Sequence, residues 1–231
     1  MRLSDQVFVV TGGGGAIARP ILQTFAQAGA RLVVADRSLE IARAGAEGVD
    51  GLALAVDLAQ PDSGAELVRA AREKWGRFDG LIHTVGGFAM GRAHEGEPAL
   101  YDKMFDLNVR TLWHALRAVV PALVESGHGF IAGFASEPVW TGAAPGSALY
   151  GASKAATSHL LHSLDAELRG TGVRVAVVYP MGAVDTPANR LDMPDFDPAR
   201  YIDPVDIAEA LLFAATRSPR GRAVELPIWP A

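Results

Sequence analysis

Short apolar runs alternate with segments of helical period from Val7 to Ile228, and few folds accommodate such an alternation. Val7 to Val10 is apolar without a break, which suits a strand buried on both faces. Gly12 to Gly15 turns the chain, and Ile17, Ile21, Leu22 and Phe25 then recur at helical spacing until Gly29. A second strand, Leu32 to Ala35, ends at Asp36, and a third, Leu52 to Val56, ends at Asp57. Pro61 is expected to open a helix carrying Leu67, Val68 and Trp75. Phe78 to Thr84 reads as the fourth strand and residues 98–126 as helix, followed by a small-residue strand over 129–135 that ends at Ser136. A helix containing Tyr150 and Lys154 runs on through Leu168, and Gly170 and Gly172 close it. Val173 to Tyr179, a helix over Ile207 to Ala215 and a last strand over Ala223 to Ile228 complete the series. The pattern predicts an α/β fold: one doubly wound domain over 1–231, with a parallel sheet of about seven strands and helices on both faces. Ligands of such sheets bind beyond the carboxyl ends of the strands, where Asp36, Asp57, Gly86, Ser136 and Pro180 fall.

Composition excludes several functions. A formal net charge of -5 and a pI near 5.7 disfavour nucleic acid or an anionic membrane as partner. There is no cysteine, so disulfides and thiolate chemistry are ruled out. His159 and His162 lie three apart but lack partners at matching spacing, so no metal site is expected. The segment from Arg2 to Ala18 superficially resembles a signal peptide, but Asp5 and the glycine run oppose that. Without a long uninterrupted apolar run, a cytoplasmic protein with no membrane span is expected.

Two motifs carry chemistry. Thr11-Gly12-Gly13-Gly14-Gly15-Ala16-Ile17-Ala18 follows a strand and opens a helix, where backbone N–H groups and the helix N-terminus can take a pyrophosphate. Asp36 ends the next strand, where a carboxylate accepts from both ribose hydroxyls and repels a 2′-phosphate. That predicts NAD(H) over NADP(H), although Arg37 beside it could pair with the phosphate. Tyr150 and Lys154 are four apart, hence on one helix face. An ammonium there favours the phenolate, and bringing a phenol from about 10 to near 7 takes about 4 kcal/mol. A hydroxyl at Ser136 could hold a carbonyl oxygen beside the phenol.

Taken together these residues resemble the short-chain dehydrogenase/reductase family over essentially the whole chain. The family's TGxxxGxG pattern is similar to residues 11–18, its adenine-contacting acid falls on Asp57 with Leu58 beside it, and its helix asparagine falls on Asn108. Its catalytic serine, tyrosine and lysine fall on Ser136, Tyr150 and Lys154, and its proline loop on Pro180 to Thr186. The resemblance implies Tyr150 as general acid/base, Lys154 as ligand of the nicotinamide ribose, Ser136 as orienter of the carbonyl, and Asn108 as holder of a proton-relaying water. It implies cofactor contacts from Gly12, Gly14, Gly15, Ala16, Ile17, Asp36, Arg37, Asp57, Leu58, Thr84, Val85, Gly86, Tyr150, Lys154, Pro180, Gly182, Val184 and Thr186. It further implies a small carbonyl or alcohol substrate and a homodimer or homotetramer, with Leu112, Trp113, Leu116, Val119 and Val120 apolar on more than one side of their helix.

There are departures from the family pattern. Ala16 and Ala18 replace two glycines, and an alanine forced to positive φ would cost about 1 kcal/mol. His83-Thr-Val-Gly86 stands where the family usually has Asn-Asn-Ala-Gly, removing two amides that tie the central strands. Ser136 lies one residue farther from Tyr150 than usual, and Glu137 occupies the usual distance. Residues 85–91, 185–190 and Met193-Pro194 are similar to dihydropteridine reductases, which makes NADH-dependent reduction of quinonoid dihydropterins an alternative. A non-catalytic NAD-binding sensor is a second. Residues 185–202 are expected to form an irregular lid, with Met90, Trp140, Met181, Met193 and Phe196 around the substrate.

Overall fold

The structure is a computed structural model that describes residues 2–218 and 220–231. Seven parallel strands form one sheet in the order β3-β2-β1-β4-β5-β6-β7. They are β1 (Val7–Thr11), β2 (Arg31–Asp36), β3 (Gly51–Ala55), β4 (Gly80–His83), β5 (Gly129–Phe134), β6 (Val173–Pro180) and β7 (Glu225–Ile228). The helices between them are α1 (Ala18–Gln27), α2 (Leu39–Gly45), α3 (Gly64–Trp75), α4 (Pro98–Phe105), α5 (Thr111–Ser126), α6 (Glu137–Thr141), α7 (Ala148–Glu167), α8 (Pro187–Asp192) and α9 (Pro204–Ala215). The strand order reverses between β1 and β4, so the crevice for a ligand opens where Thr11 and His83 end their strands.

Strand period two sorts the apolar runs into two cores. Val7 and Val9, with Val33 and Ala35 of β2 and Val173, Val175 and Val177 of β6, face a layer that includes Leu67, Leu112, Leu123 and Leu161. The alternate residues Phe8, Val10, Leu32, Val34, Ala176 and Val178 face Ile21, Leu22, Phe25, Ile207 and Leu211. Phe8 and Phe25 meet edge to face with centroids 5.2 Å apart. Full burial of each Val, Leu, Ile or Phe side chain among them contributes about 1.5–3 kcal/mol. Because both faces are covered, the strands read as unbroken apolar runs, as the parallel arrangement requires.

Several boundaries differ from expectation. α3 begins at Gly64, not Pro61, because Asp62 holds a left-handed φ of 64° that no helix continues through. Gly64 lies so close to His114 O and Ala115 that a side chain there would collide. The helix over 98–126 is interrupted by a wide π turn at Asp106–Arg110. Three short helices, α2, α6 and α8, occupy stretches without an apolar period. Residues 185–202 are therefore not irregular: Thr186 Oγ1 caps α8 by accepting from Asn189 N at 3.1 Å, Pro187 sits in its first turn, and a 3-10 turn follows at Pro198–Arg200. Among the described residues, no helix is long and apolar enough to cross a membrane, and no three His, Asp or Glu side chains group as a metal site.

Candidate active site

The glycine turn leaves β1 through Gly12, whose φ of 67° a side chain would strain. A Cβ there would also come within 2.9 Å of Thr84 Oγ1. Neither Ala16 nor Ala18 needs such a conformation, since Asp5 and Asp62 are the non-glycine residues at positive φ among those described. The expected strain is absent, and Ala18 is fully buried against the second core. No side chain caps α1; its first N–H groups are taken up by the turn itself, Ala18 N and Arg19 N donating to Gly15 O at 3.1 and 3.2 Å, and Pro20 has none to offer. Asp36 lies beside the turn, its Oδ2 accepting from Gly14 N at 3.2 Å and its Oδ1 from Arg37 N at 2.8 Å. Asp57 accepts from Gln60 Nε2 and Ala59 N, both at 3.0 Å, and these bonds, Gln60 first, hold its carboxyl below the usual range.

The lost amides of the central strands have a replacement. His83 Nδ1 lies 2.9 Å from Thr11 Oγ1 and its Nε2 3.2 Å from Thr111 Oγ1, so the imidazole spans β1, β4 and α5. Thr84 Oγ1 donates to Thr11 O at 2.7 Å. Burial, with the Lys154 charge adding to it, pushes His83 down to about 3, so it stays neutral and serves as a strut.

Tyr150 and Lys154 lie one turn apart on α7. Lys154 is 8% exposed, its Nζ donates to Phe134 O at 3.0 Å, and burial lowers it to about 8. Burial pushes the Tyr150 phenol up, opposed in part by the Ser136 hydroxyl. This differs from the sequence expectation of an ammonium-lowered phenol: Lys154 is turned to a carbonyl, and desolvation dominates. The Phe88 ring meets Tyr150 edge-on at 4.9 Å. Ser136 Oγ is buried and meets no donor or acceptor at full hydrogen-bonding geometry, although it lies near enough to Tyr150 to offset part of the rise of that phenol. Asn108 sits in the π turn, its Oδ1 accepting from Gly87 N at 2.9 Å and its Nδ2 donating to Gly87 O at 3.0 Å and Ser153 Oγ at 2.9 Å. Thr157 Oγ1 donates to the Asn108 carbonyl at 2.8 Å. A Cβ on Gly86 would reach within 2.8 Å of Asn108 Oδ1 and 3.1 Å of Lys154 Nζ, so this cradle depends on a glycine.

Two cavities meet along the carboxyl edge, sharing Thr84 and Gly86. One, of about 950 Å³, is lined by Gly12, Gly14, Gly15, Asp36, Arg37, Asp57, Leu58 and Val85 among others. The second, of about 480 Å³, holds Ile17, Ser136, Tyr150, Lys154, Pro180, Gly182, Val184 and Thr186. Ala16 and Asn108 line neither; Asn108 lies behind Gly87. Met193 faces the smaller cavity as expected, whereas Met181 belongs to the core, Phe196 packs on Tyr201, and Trp140 packs on Tyr179. Met90 is 67% exposed and lines neither cavity. His162 Nε2 is taken by Tyr179 Oη at 2.9 Å. Phe88 and Asn189 also line the smaller cavity, and they were not expected from sequence because loop and short-helix residues carry no periodic signal.

A doubly wound sheet with a glycine turn at its switch point and a Tyr–Lys pair on the rim defines a Rossmann-type oxidoreductase. Residues 6–195 match the short chain dehydrogenase family, and the chain belongs to it. It is 30% identical over 236 residues to an uncharacterized oxidoreductase of Staphylococcus saprophyticus, covering 100% of this chain and 99% of the relative. A structure of a metagenomic short-chain oxidoreductase in complex with NADP superposes with a TM-score of 0.83 at 29% identity, covering 99% of this chain and 98% of that one. A 3-ketoacyl-(acyl-carrier-protein) reductase from Brucella melitensis, complexed with NADH, gives 0.88 at 26% identity with the same coverage.

Proposed function

We propose that residues 1–231 act as one catalytic unit that transfers hydride between NAD(H) and a small carbonyl or alcohol compound. The observation that carries this reading is the Ser136 hydroxyl, buried without a full hydrogen bond in the same cavity as Tyr150 and Lys154. A buried hydroxyl without a partner costs about 1–3 kcal/mol, and a substrate oxygen held between it and the Tyr150 phenol would satisfy both. The residues present fit a dinucleotide: a glycine turn a side chain would obstruct, a carboxylate beside it, and a glycine cradle in front of Lys154. When bound, the nicotinamide supplies or accepts the hydride. Tyr150 gives the carbonyl oxygen its proton, Ser136 orients that oxygen, and Lys154 holds the ribose side of the site. Asn108, fixed by Gly87 and Ser153, is read as the residue that holds a water relaying protons toward Lys154.

Asp36 favours NAD(H), because its carboxylate would repel a 2′-phosphate in the larger cavity. Residues 185–202 are read as a lid. Their base is pinned by Asp185 N donating to Ile202 O and Ile202 N to Ala183 O, both at 2.9 Å, while Asn189 and Met193 face the substrate cavity. Assembly through the α5 and α7 faces, where Trp113 is 48% exposed, is read as a homodimer or homotetramer, and a monomeric mass by light scattering would contradict it. The carbonyl reading is preferred to pterin reduction and to a silent sensor, because Ser136, Tyr150 and Lys154 share one cavity.

The test is oxidation of NADH and of NADPH by the purified protein against a quinonoid dihydropterin, a quinone, an α-diketone, a β-keto ester and an aromatic ketone. Ketone turnover with NADH preferred at least about tenfold is expected. Turnover confined to the dihydropterin, or equal use of both cofactors, would overturn the corresponding half of the reading.

A further inference from the structure

The cavity holding Ser136 and Tyr150 has one carboxylate in its lining, Glu137, and one cation, Lys154. Lys154 is buried and engaged with Phe134 O at 3.0 Å. Glu137 is different: among the described residues its carboxylate has neither an ion pair nor a hydrogen bond. Its position is fixed nonetheless. Ser136 occupies the N-cap position of α6, Glu137 is the first residue of the helix, and Pro138 sets the next φ, so the chain cannot slide without losing the turn. Glu137 is solvent-exposed where it lines the cavity, so its carboxylate is open to a charged group of a bound molecule whose oxygen is held by the adjacent Ser136. Phe88, 59% exposed and anchored edge-on against Tyr150, lines the same cavity. A free carboxylate and an aromatic face on one apolar cavity are the two elements that recognise an organic cation.

Resting on the carbonyl reading above, we propose that this site selects carbonyl compounds bearing an ammonium group close to the carbonyl, and that Glu137 is the residue that selects them. Carboxylate- and phosphate-bearing ketones are disfavoured by the same group, and the net charge of -5 adds to that discrimination at long range. The ammonium sits between Glu137 and the Phe88 ring while the carbonyl oxygen meets Ser136 and Tyr150. Glu137 takes no part in proton transfer.

The test uses two ketones of the same shape, phenacyl trimethylammonium and its carbon isostere neopentyl phenyl ketone, with NADH as reductant. The wild-type protein is expected to favour the ammonium ketone in kcat/KM by about tenfold, the scale of one partly exposed charge pair with an aromatic contact. Glu137→Gln is expected to remove most of that preference, and Glu137→Asp to retain it. A preference that survives Glu137→Gln, or a wild-type protein that favours the neutral isostere, overturns the proposal while leaving ketone reduction intact. A protein that binds NADH yet reduces neither ketone nor any other carbonyl of the panel loses the carbonyl reading and this one with it.

Discussion

Tyr150→Phe is expected to lower kcat for ketone reduction by about a thousandfold, within the range that a positioned general acid supplies, while leaving the NADH dissociation constant within about threefold of wild type. The expectation rests on what the substitution keeps and what it removes. The ring that remains would still pack edge-on against Phe88, where the Tyr150 centroid lies 4.9 Å away, so the cavity wall keeps its shape. The oxygen alone is lost, and with it the proton donor beside Ser136. Steady-state rates and a fluorescence titration with NADH separate the two effects. Turnover within about tenfold of wild type would remove Tyr150 from the mechanism. The pH profile gives a second view of the same group. Burial raises the phenol, so Tyr150 holds its proton through neutral pH and acts as an acid in the reducing direction. Lys154, lowered to about 8, is charged below that value and loses its proton above it. Reduction should therefore be sustained below about pH 8 and decline above it.

The strands were legible because burial on both faces leaves apolar runs such as Val7 to Val10 that no other element of this length explains. The Tyr150–Lys154 pair was legible because four residues on a helix fix a common face whatever surrounds it. The protonation balance between them was not, since it depends on desolvation and on Phe134 O, which approaches from a strand. His83 was visible as a departure, but its role depends on Thr11 and Thr111, which lie 72 and 28 residues away. The same holds for Phe88, whose place beside Tyr150 is a tertiary contact of a loop. The π turn at Asp106–Arg110 leaves no apolar break in the helical period around it. Short helices such as α2 rest on caps rather than on period, here Ser38 accepting from Ile41 N at 3.5 Å.

Asp79→Ala is expected to destabilise the fold by about 2–4 kcal/mol, although nothing in the sequence singles this residue out. Its side chain is 2% exposed at the amino edge of the sheet, where Asp79 N donates to Val7 O at 2.9 Å and Asp79 O accepts from Phe130 N at 3.0 Å. The carboxylate accepts from Val7 N at 2.8 Å, from both nitrogens of the Arg77 fork at 2.7 Å, and meets His128 Nε2 at 2.7 Å. One side chain thereby joins the starts of β1, β4 and β5, and its removal strands a buried N–H and a guanidinium. Burial alone would raise this carboxyl, but the Arg77, Val7 and His128 contacts together hold it below its ordinary value. A depressed carboxyl contributes stability that is fully present above the unfolded pKa, near 3.8, and is lost as pH falls through the folded one. The gap between wild type and Asp79→Ala in urea midpoints should therefore be full at neutral pH and narrow below about pH 4, as the wild type surrenders its advantage. A gap under about 0.5 kcal/mol at neutral pH would show that the sheet edge holds without Asp79. A gap that widens in acid would mean that the carboxyl is not the charged partner of Arg77.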